Sequence, residues 1–193
     1  MKDSLVSLSI EKLLSSNSHL GDKKNRRDGL QSAGILGHRD GNDLIHLGKT
    51  IKDLVPVLHI VAETVSNRES VLIIAQDEVV DKKGFPQPIV TEKWIYGALS
   101  NFKMTRSSKK NILKEMPNGL ILLKSNTSDL LLNEAKFLEI PTVIVQQTGE
   151  SPLRGQYSLL ANKDDKKTVR LLLSLLAKAA FYGYSREILR FRG

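Results

Sequence analysis

Three short stretches of this chain are continuously aliphatic: residues 71–75 (VLIIA), 119–123 (GLILL) and 141–145 (PTVIV). Such runs carry no polar face, which is the pattern of strands buried on both sides of a sheet. The segments around them follow a helical period instead. Residues 50–65 place Ile51, Leu54, Val55, Leu58, Val61, Ala62 and Val65 on one stripe, with Pro56 inside it predicting a kink or an early start. Residues 128–139 predict a second helix, with Ser128 as its N-cap. A last helix starts near Lys167 and runs to about Ala180 or beyond, presenting Val169, Leu172, Leu173, Leu176 and Ala180. Buried strands alternating with helices predict an α/β fold with a parallel sheet and crossover helices.

The rest of the chain is patterned less regularly. Leu5, Leu8, Ile10 and Leu13 give residues 5–16 a weak helical stripe. Residues 17–34 are polar and glycine-punctuated and read as a basic loop, with the run DKKNRRD at 22–28. In residues 34–50, Ile35-Leu36 and Leu44-Ile45 are separated by Gly37, Asp40, Gly41 and Asn42, which reads as a small hairpin or a tight loop. Residues 88–90 read as a short strand, 94–99 as a short helix, and 103–114 as a basic linker.

Composition narrows the function classes. The chain has 193 residues, enough for one domain with a real core, and 29 basic residues against 21 acidic ones leave it at +8 with a pI near 9.6. That balance asks for an acidic partner: nucleic acid, a phosphate ligand or an anionic membrane. Aromatic residues make up only 5% of the chain, so contacts to RNA are expected to be mainly with phosphate and shape. With no cysteine there is no disulfide, no thiolate nucleophile and no sulfur-ligated zinc. No apolar run approaches the length of a membrane span, and the opening Met1-Lys2-Asp3-Ser4 resembles neither a signal peptide nor a transit peptide, although a presequence removed earlier is compatible with it.

No enzymatic constellation accompanies the fold. No Gly-x-Gly-x-x-Gly follows a strand. Gly48-Lys49-Thr50 has the tail of a phosphate-binding loop, yet the position that needs its leading glycine is Asp43, whose charge repels phosphate. His19, His38, His46 and His59 form no metal-ligating pair, and Asp40/Asp43 and Asp164-Asp165 read as turn and helix-cap residues. There is no Gly-x-Ser-x-Gly elbow. Trp94, the only tryptophan, reads as a core anchor. Residues 181–193 form a basic aromatic end, either frayed helix or a tail docked on RNA or a neighbouring protein.

Several segments together resemble the universal small-subunit ribosomal protein 2 family. EKLLSSNSHLG at 11–21 is similar to that family's N-terminal helix and histidine-bearing turn. LGHRDGNDLIHLGKTIKDL at 36–54 is similar to its signature stretch through Arg39, Gly41, Ile45, Lys49 and Thr50. KWIYGALSNF at 93–102 resembles its Trp-x-x-Gly-x-Leu-Thr-Asn element through Trp94, Gly97, Leu99 and Asn101, with Ser100 in the threonine place. GLILL at 119–123, EAKFLEIPTVIV at 134–145 and residues 157–179 resemble the closing strands and last helix. Two departures stand out. Residues 103–118 are too short for the long helical hairpin of bacterial members, and the strand at 71–75 runs into Gln76 without the usual basic, threonine-containing continuation.

The resemblance implies a single flavodoxin-like α/β domain over 1–193, a three-layer parallel sheet flanked by helices, with a short N-terminal helix and a basic loop. It implies a structural role in the small ribosomal subunit, between head and body, touching ribosomal RNA and neighbouring ribosomal proteins and aiding assembly and messenger binding. No catalysis, cofactor, metal, membrane or small-molecule substrate is expected. The shortened chain and the wording KLLSSNSHLG point to an organelle, with the mitochondrial matrix favoured over a plastid. Charge and loop placement nominate Lys23, Lys24, Arg26, Arg27, His38, Arg39, Lys103, Arg106, Lys109 and Lys110 as RNA contacts. Two other classes stay open: a phosphate-ligand α/β enzyme and a free-standing RNA-binding factor.

Overall fold

The computed structural model describes residues 10–23, 34–75, 89–91, 97–102, 113, 115–123, 129–149 and 155–190. The elements in chain order are α1 (Ile10–Ser15), β1 (Leu20–Lys23), β2 (Ile35–Arg39), β3 (Asn42–Ile45), α2 (Leu47–Ser66), β4 (Val71–Ile74), β5 (Ile89–Thr91), β6 (Gly119–Leu122), α3 (Asp129–Phe137), β7 (Thr142–Gln146), β8 (Tyr157–Leu160) and α4 (Lys166–Arg190).

The three aliphatic runs become the centre of a five-stranded sheet of order β5-β4-β6-β7-β8 in which every neighbouring pair is parallel. The chain starts inside, steps outward to β5, then crosses β4 and proceeds to the other edge. This is the flavodoxin-like strand order. Successive residues of one strand enter opposite cores. Val71, Ile73, Ile121, Val143, Val145 and Leu159 face α2 and α4, whereas Leu72, Ile74, Leu120, Leu122 and Ile144 face α3. The absence of a polar face in those three runs follows directly, because neither side of β4, β6 or β7 meets water.

α2 starts earlier than the hydrophobic stripe suggests, at Leu47, capped by His46, whose Nδ1 accepts from the Lys49 backbone N–H at 3.1 Å. The helix is continuous to Ser66 with Pro56 well inside it on the exposed side, so the proline does not end the helix. Val57 takes the buried place expected of Val55, which stands 37% exposed. Thr50 does not serve a phosphate site: its hydroxyl donates to the Leu160 carbonyl at 2.8 Å and ties α2 to the edge strand.

Other expectations shift or fail in detail. α1 buries Leu13 alone, leaving Ile10 half exposed, while Leu5 and Leu8 lie outside the described residues. Within the stretch read as loop, Leu20–Lys23 is a strand paired with β3. The short strand expected at 88–90 is β5, one residue later. Residues 97–100 form a turn in place of a helix, held by Glu134, whose carboxylate oxygens accept from the Gly97 and Ser100 backbone N–H groups at 3.0 and 3.2 Å. Trp94, Ser128 and most of the 103–114 linker lie outside the described residues. Among the described residues no helix is long and apolar enough to cross a membrane.

α4 runs well past Ala180, to Arg190. Its extension is held to α2 by ion pairs, Arg186 Nη1 to Glu63 Oε1 at 2.5 Å and Arg68 Nε to Glu187 Oε1 at 2.6 Å. Glycine sits where the two helices approach most closely. A Cβ at Gly183 would lie 2.2 Å from the Ala62 carbonyl oxygen, a backbone atom that no side-chain rearrangement can move. In an open helix, Gly183→Ala gains about 1 kcal/mol from propensity. Here overpacking costs about 1–3 kcal/mol and opposes that gain, so the expected net effect in urea denaturation is destabilisation by about 1 kcal/mol. Gly37→Ala, where a Cβ meets nothing within 4 Å, serves as the control and leaves the midpoint within error.

Candidate nucleic-acid interface

The nominated cations that fall within the described residues are Lys23, His38 and Arg39, and all three belong to a second, antiparallel sheet of order β1-β3-β2. The β2–β3 connection is the two-residue turn Asp40-Gly41, with φ of 52° and 80° at its two positions. Two successive positive φ values define the hairpin turn whose twist matches the strands, and Asp-Gly is a favoured sequence for it. The turn sets Arg39 opposite Asn42 and His38 opposite Asp43. On the other side of the central strand, Lys23 also pairs with Asn42. Lys23 and Arg39 therefore occupy the same rank of the sheet, two strand spacings or about 10 Å apart. Residues from separate segments are brought to one end of the small sheet.

Their environments differ. The Arg39 side chain is 80% exposed and its one ion pair, to Asp40 at 3.5 Å, is equally solvated, so the guanidinium is held only loosely. His38 is engaged: its Nδ1 donates to Asp43 Oδ1 at 2.5 Å, with Asp43 nearly buried. That contact fixes the ring and leaves Nε2 as its remaining polar edge. Lys24, Arg26, Arg27, Lys103, Arg106, Lys109 and Lys110 lie outside the described residues. Sequence reading did not single out Asn42, the residue between the two cations, although the Asp-Gly turn fixes Arg39 against it once the hairpin is accepted.

A cleft of about 680 Å³ opens between α1 and this hairpin, with Leu14, Leu20, Leu36 and Leu44 in its wall and Arg39 at its rim. The wall is mainly aliphatic, and its polar lining is His19, Arg39, Asp40, Asn42 and His46. Among the described residues no group of three histidine or carboxylate side chains is placed to hold a metal ion.

Polar bonds made by the segment around the α1–β1 turn lock the small sheet to the large one. Asp22 N–H donates to Thr148 Oγ1 at 2.7 Å and Gln147 Nε2 donates to Asp22 Oδ1 at 2.8 Å, joining β1 to the loop that follows β7. Asn17, at φ 60°, donates from Nδ2 to Asp165 Oδ2 at 2.8 Å. Asp165 is also the N-cap of α4, accepting from the Lys167 backbone N–H at 2.8 Å. Beside them Thr168 Oγ1 donates to the Ser16 carbonyl at 2.7 Å. The bond from Asn17 and then that from Lys167 hold the Asp165 carboxyl below its ordinary carboxylate value of 3.8. Asp165, read from sequence as a cap or turn residue, is thus a cap that also clasps the N-terminal segment.

Comparison with known proteins fits this geometry. The family model of ribosomal protein S2 matches residues 13–116 and 108–183, two pieces that meet at the segment read as a shortened insert. The chain belongs to the ribosomal protein S2 family. Among its relatives, the small ribosomal subunit protein uS2 of Rickettsia massiliae is 26% identical over 232 residues, covering 95% of this chain and 78% of the relative. The protein of the same name from Bradyrhizobium diazoefficiens is 24% identical over 227 residues, covering 94% of this chain and 69% of the relative. Both matched stretches are longer than this 193-residue chain, so the relatives carry internal residues that it lacks.

The clasp makes a pH-dependent prediction for this S2-family chain. Asp165 has a lowered pKa in the fold, so its contribution is present above the unfolded carboxylate value near 4 and is lost as pH falls through the lower folded value. Asp165→Ala is expected to lower stability at neutral pH by about 1–2 kcal/mol, in the range of a lost cap. Asp165→Asn keeps an accepting oxygen and is expected to flatten the acid limb of a stability-against-pH curve below about pH 4. An unchanged acid limb in that variant would mean the carboxylate is not the clasp.

Proposed function

We propose that this chain is a structural protein of the small ribosomal subunit, and that the ribosome is a mitochondrial one. The carrying observation is the family match over nearly the whole length, supported by a surface with the cations such a role needs. The mechanism is scaffolding. Lysine and arginine neutralise phosphates of small-subunit RNA and release counterions, while apolar surface meets neighbouring ribosomal proteins. The Lys23–Arg39 edge is the part of the RNA surface that the fold assembles from distant segments. Lys24, Arg26 and Arg27 extend it along the chain, His38 stands next to Arg39 on the same strand, and Lys103, Arg106, Lys109 and Lys110 supply charge where the insert is short. The mitochondrial assignment rests on that short insert and on the KLLSSNSHLG stretch; the matrix, on the ribosome, is then its location.

Sedimentation of a mitochondrial lysate tests the reading. The chain is expected to travel with small-subunit RNA and to stay with it at moderately high salt, where loose phosphate contacts are lost. A chain that remains at the top of the gradient in low salt overturns the ribosomal reading and returns the free RNA-binding factor and the phosphate-ligand enzyme. For the edge itself, Lys23→Gln with Arg39→Gln is expected to weaken binding to small-subunit RNA and to reduce the slope of log affinity against log salt by about 1 per charge removed.

A further inference from the structure

α4 buries one side against α2 and the sheet and leaves the other uncovered. At helical spacing the uncovered side reads Lys167, Arg170, Ser174, Lys178, Phe181, Tyr184 and Ile188, a stripe about 31 Å long at 1.5 Å per residue. Its first half is cationic. Arg170 and Lys178 have no carboxylate partner among the described residues, and the one carboxylate on α4, Glu187, is taken by Arg68 on the flank. Its second half is aromatic. Phe181 and Tyr184 are 50% and 42% exposed, one turn apart on the same side, directly beyond Lys178.

The composition of the chain sharpens the point. Only ten of the 193 residues are aromatic, yet Phe181, Tyr182, Tyr184 and Phe191 fall within the last thirteen. Exposed rings in line with unneutralised cations are the two components of a surface for single-stranded nucleic acid: cations follow the phosphates and ring faces stack on bases. A protein partner fits less well. The cores of protein interfaces are depleted of lysine, and here the stripe carries lysine and arginine along half its length with no acidic residue among them.

We infer that the outer stripe of α4 is a second RNA-docking surface, separate from the Lys23–Arg39 edge, that takes an unpaired stretch of RNA with its phosphates on Arg170 and Lys178 and its bases on Phe181 and Tyr184. It differs in kind from the hairpin edge. That edge is a cationic rim with no phenylalanine, tyrosine or tryptophan among its nominated residues, suited to a phosphate backbone whatever its pairing, whereas the α4 stripe discriminates single strand from duplex because only unpaired bases can lie on its large rings.

The test uses the full chain and two fluorescent probes, a single-stranded oligouridine and an RNA duplex of the same length, with binding read by anisotropy across a salt series. Wild type is expected to prefer the single strand. Phe181→Leu with Tyr184→Leu keeps the helix and its apolar character and is expected to lower single-strand affinity by about five-fold or more, leaving the duplex unchanged. Arg170→Gln with Lys178→Gln is expected to make the single-strand salt slope shallower by about 1.4. Circular dichroism of each variant establishes that α4 is intact. If both pairs bind as wild type while Lys23→Gln with Arg39→Gln weakens binding, the α4 proposal fails and the hairpin reading survives. If wild type binds neither probe at low salt, both fail. A photo-reactive side chain placed at Phe181 in the assembled subunit gives an independent reading: crosslinks to RNA support the proposal, and crosslinks confined to protein overturn it.

Discussion

A parallel sheet buried on both faces has no polar side of its own, so whatever polar groups emerge at the carboxyl ends of its strands must find partners nearby. In this chain β7 runs into Gln147 and Thr148, both buried, and the segment around the α1–β1 turn answers them. Asp22 bonds to both, and Ser16, Asn17 and Ser18 bond to Thr168, Asp165 and their neighbours at the start of α4. An unpaired buried polar group costs about 1–3 kcal/mol, so several such bonds made by one segment are a strong reason for it to stay in place. The small sheet and its cations are oriented by that constraint. The N-terminal segment thus lies against the carboxyl ends of β7 and β8.

The opposite constraint governs the helical layer. α2 and α4 are long, 20 and 25 residues, and cross where a side chain would collide with backbone. Glycine is poor for helix stability and good for closeness, and at position 183 closeness wins. The ion pairs Arg186–Glu63 and Arg68–Glu187 flank that crossing. They are partly exposed, so each is weak alone. Their effect is to hold register beyond the last core layer, which lets α4 continue over the final turns that bear Phe181 and Tyr184.

The parts of this arrangement legible in the sequence are those whose signal is local. Three aliphatic runs, the stripes of α2 and α4, and the Asp40-Gly41 turn each carry their own pattern, and they are found close to where they were read, with Val57 in place of Val55 on α2. What escaped depends on partners distant in the chain. Leu20–Lys23 reads Leu-Gly-Asp-Lys, which no propensity favours as strand, and it becomes one because β3 pairs with it. Tyr157–Leu160 is a short edge strand with Tyr157 and Ser158 exposed, so it lacks the continuous burial that marks the others. Gly183 is a costly residue inside a helix, and only the nearness of Ala62 explains why it stands there. The candidate interface follows the same division. Charge identifies Lys23 and Arg39 as cations, but their shared rank exists only through the pairing of both with Asn42.

Net charge is therefore a coarse guide to where this chain meets an acidic partner. Part of the +8 is structural: Arg68 and Arg186 join two helices, and Lys163 is fully buried after β8. Carboxylates are drawn inward too, Asp43 against His38 and Asp165 at the head of α4, where they no longer offset cations on the surface. Each carboxylate turned to internal use leaves the outside more positive than composition suggests. The same interactions that close the fold leave exposed positive charge on the hairpin, at Arg39, and on the outer side of α4, at Arg170 and Lys178. In a chain with few aromatic residues, the rings that share the second of those surfaces give it a chemistry that the first does not have.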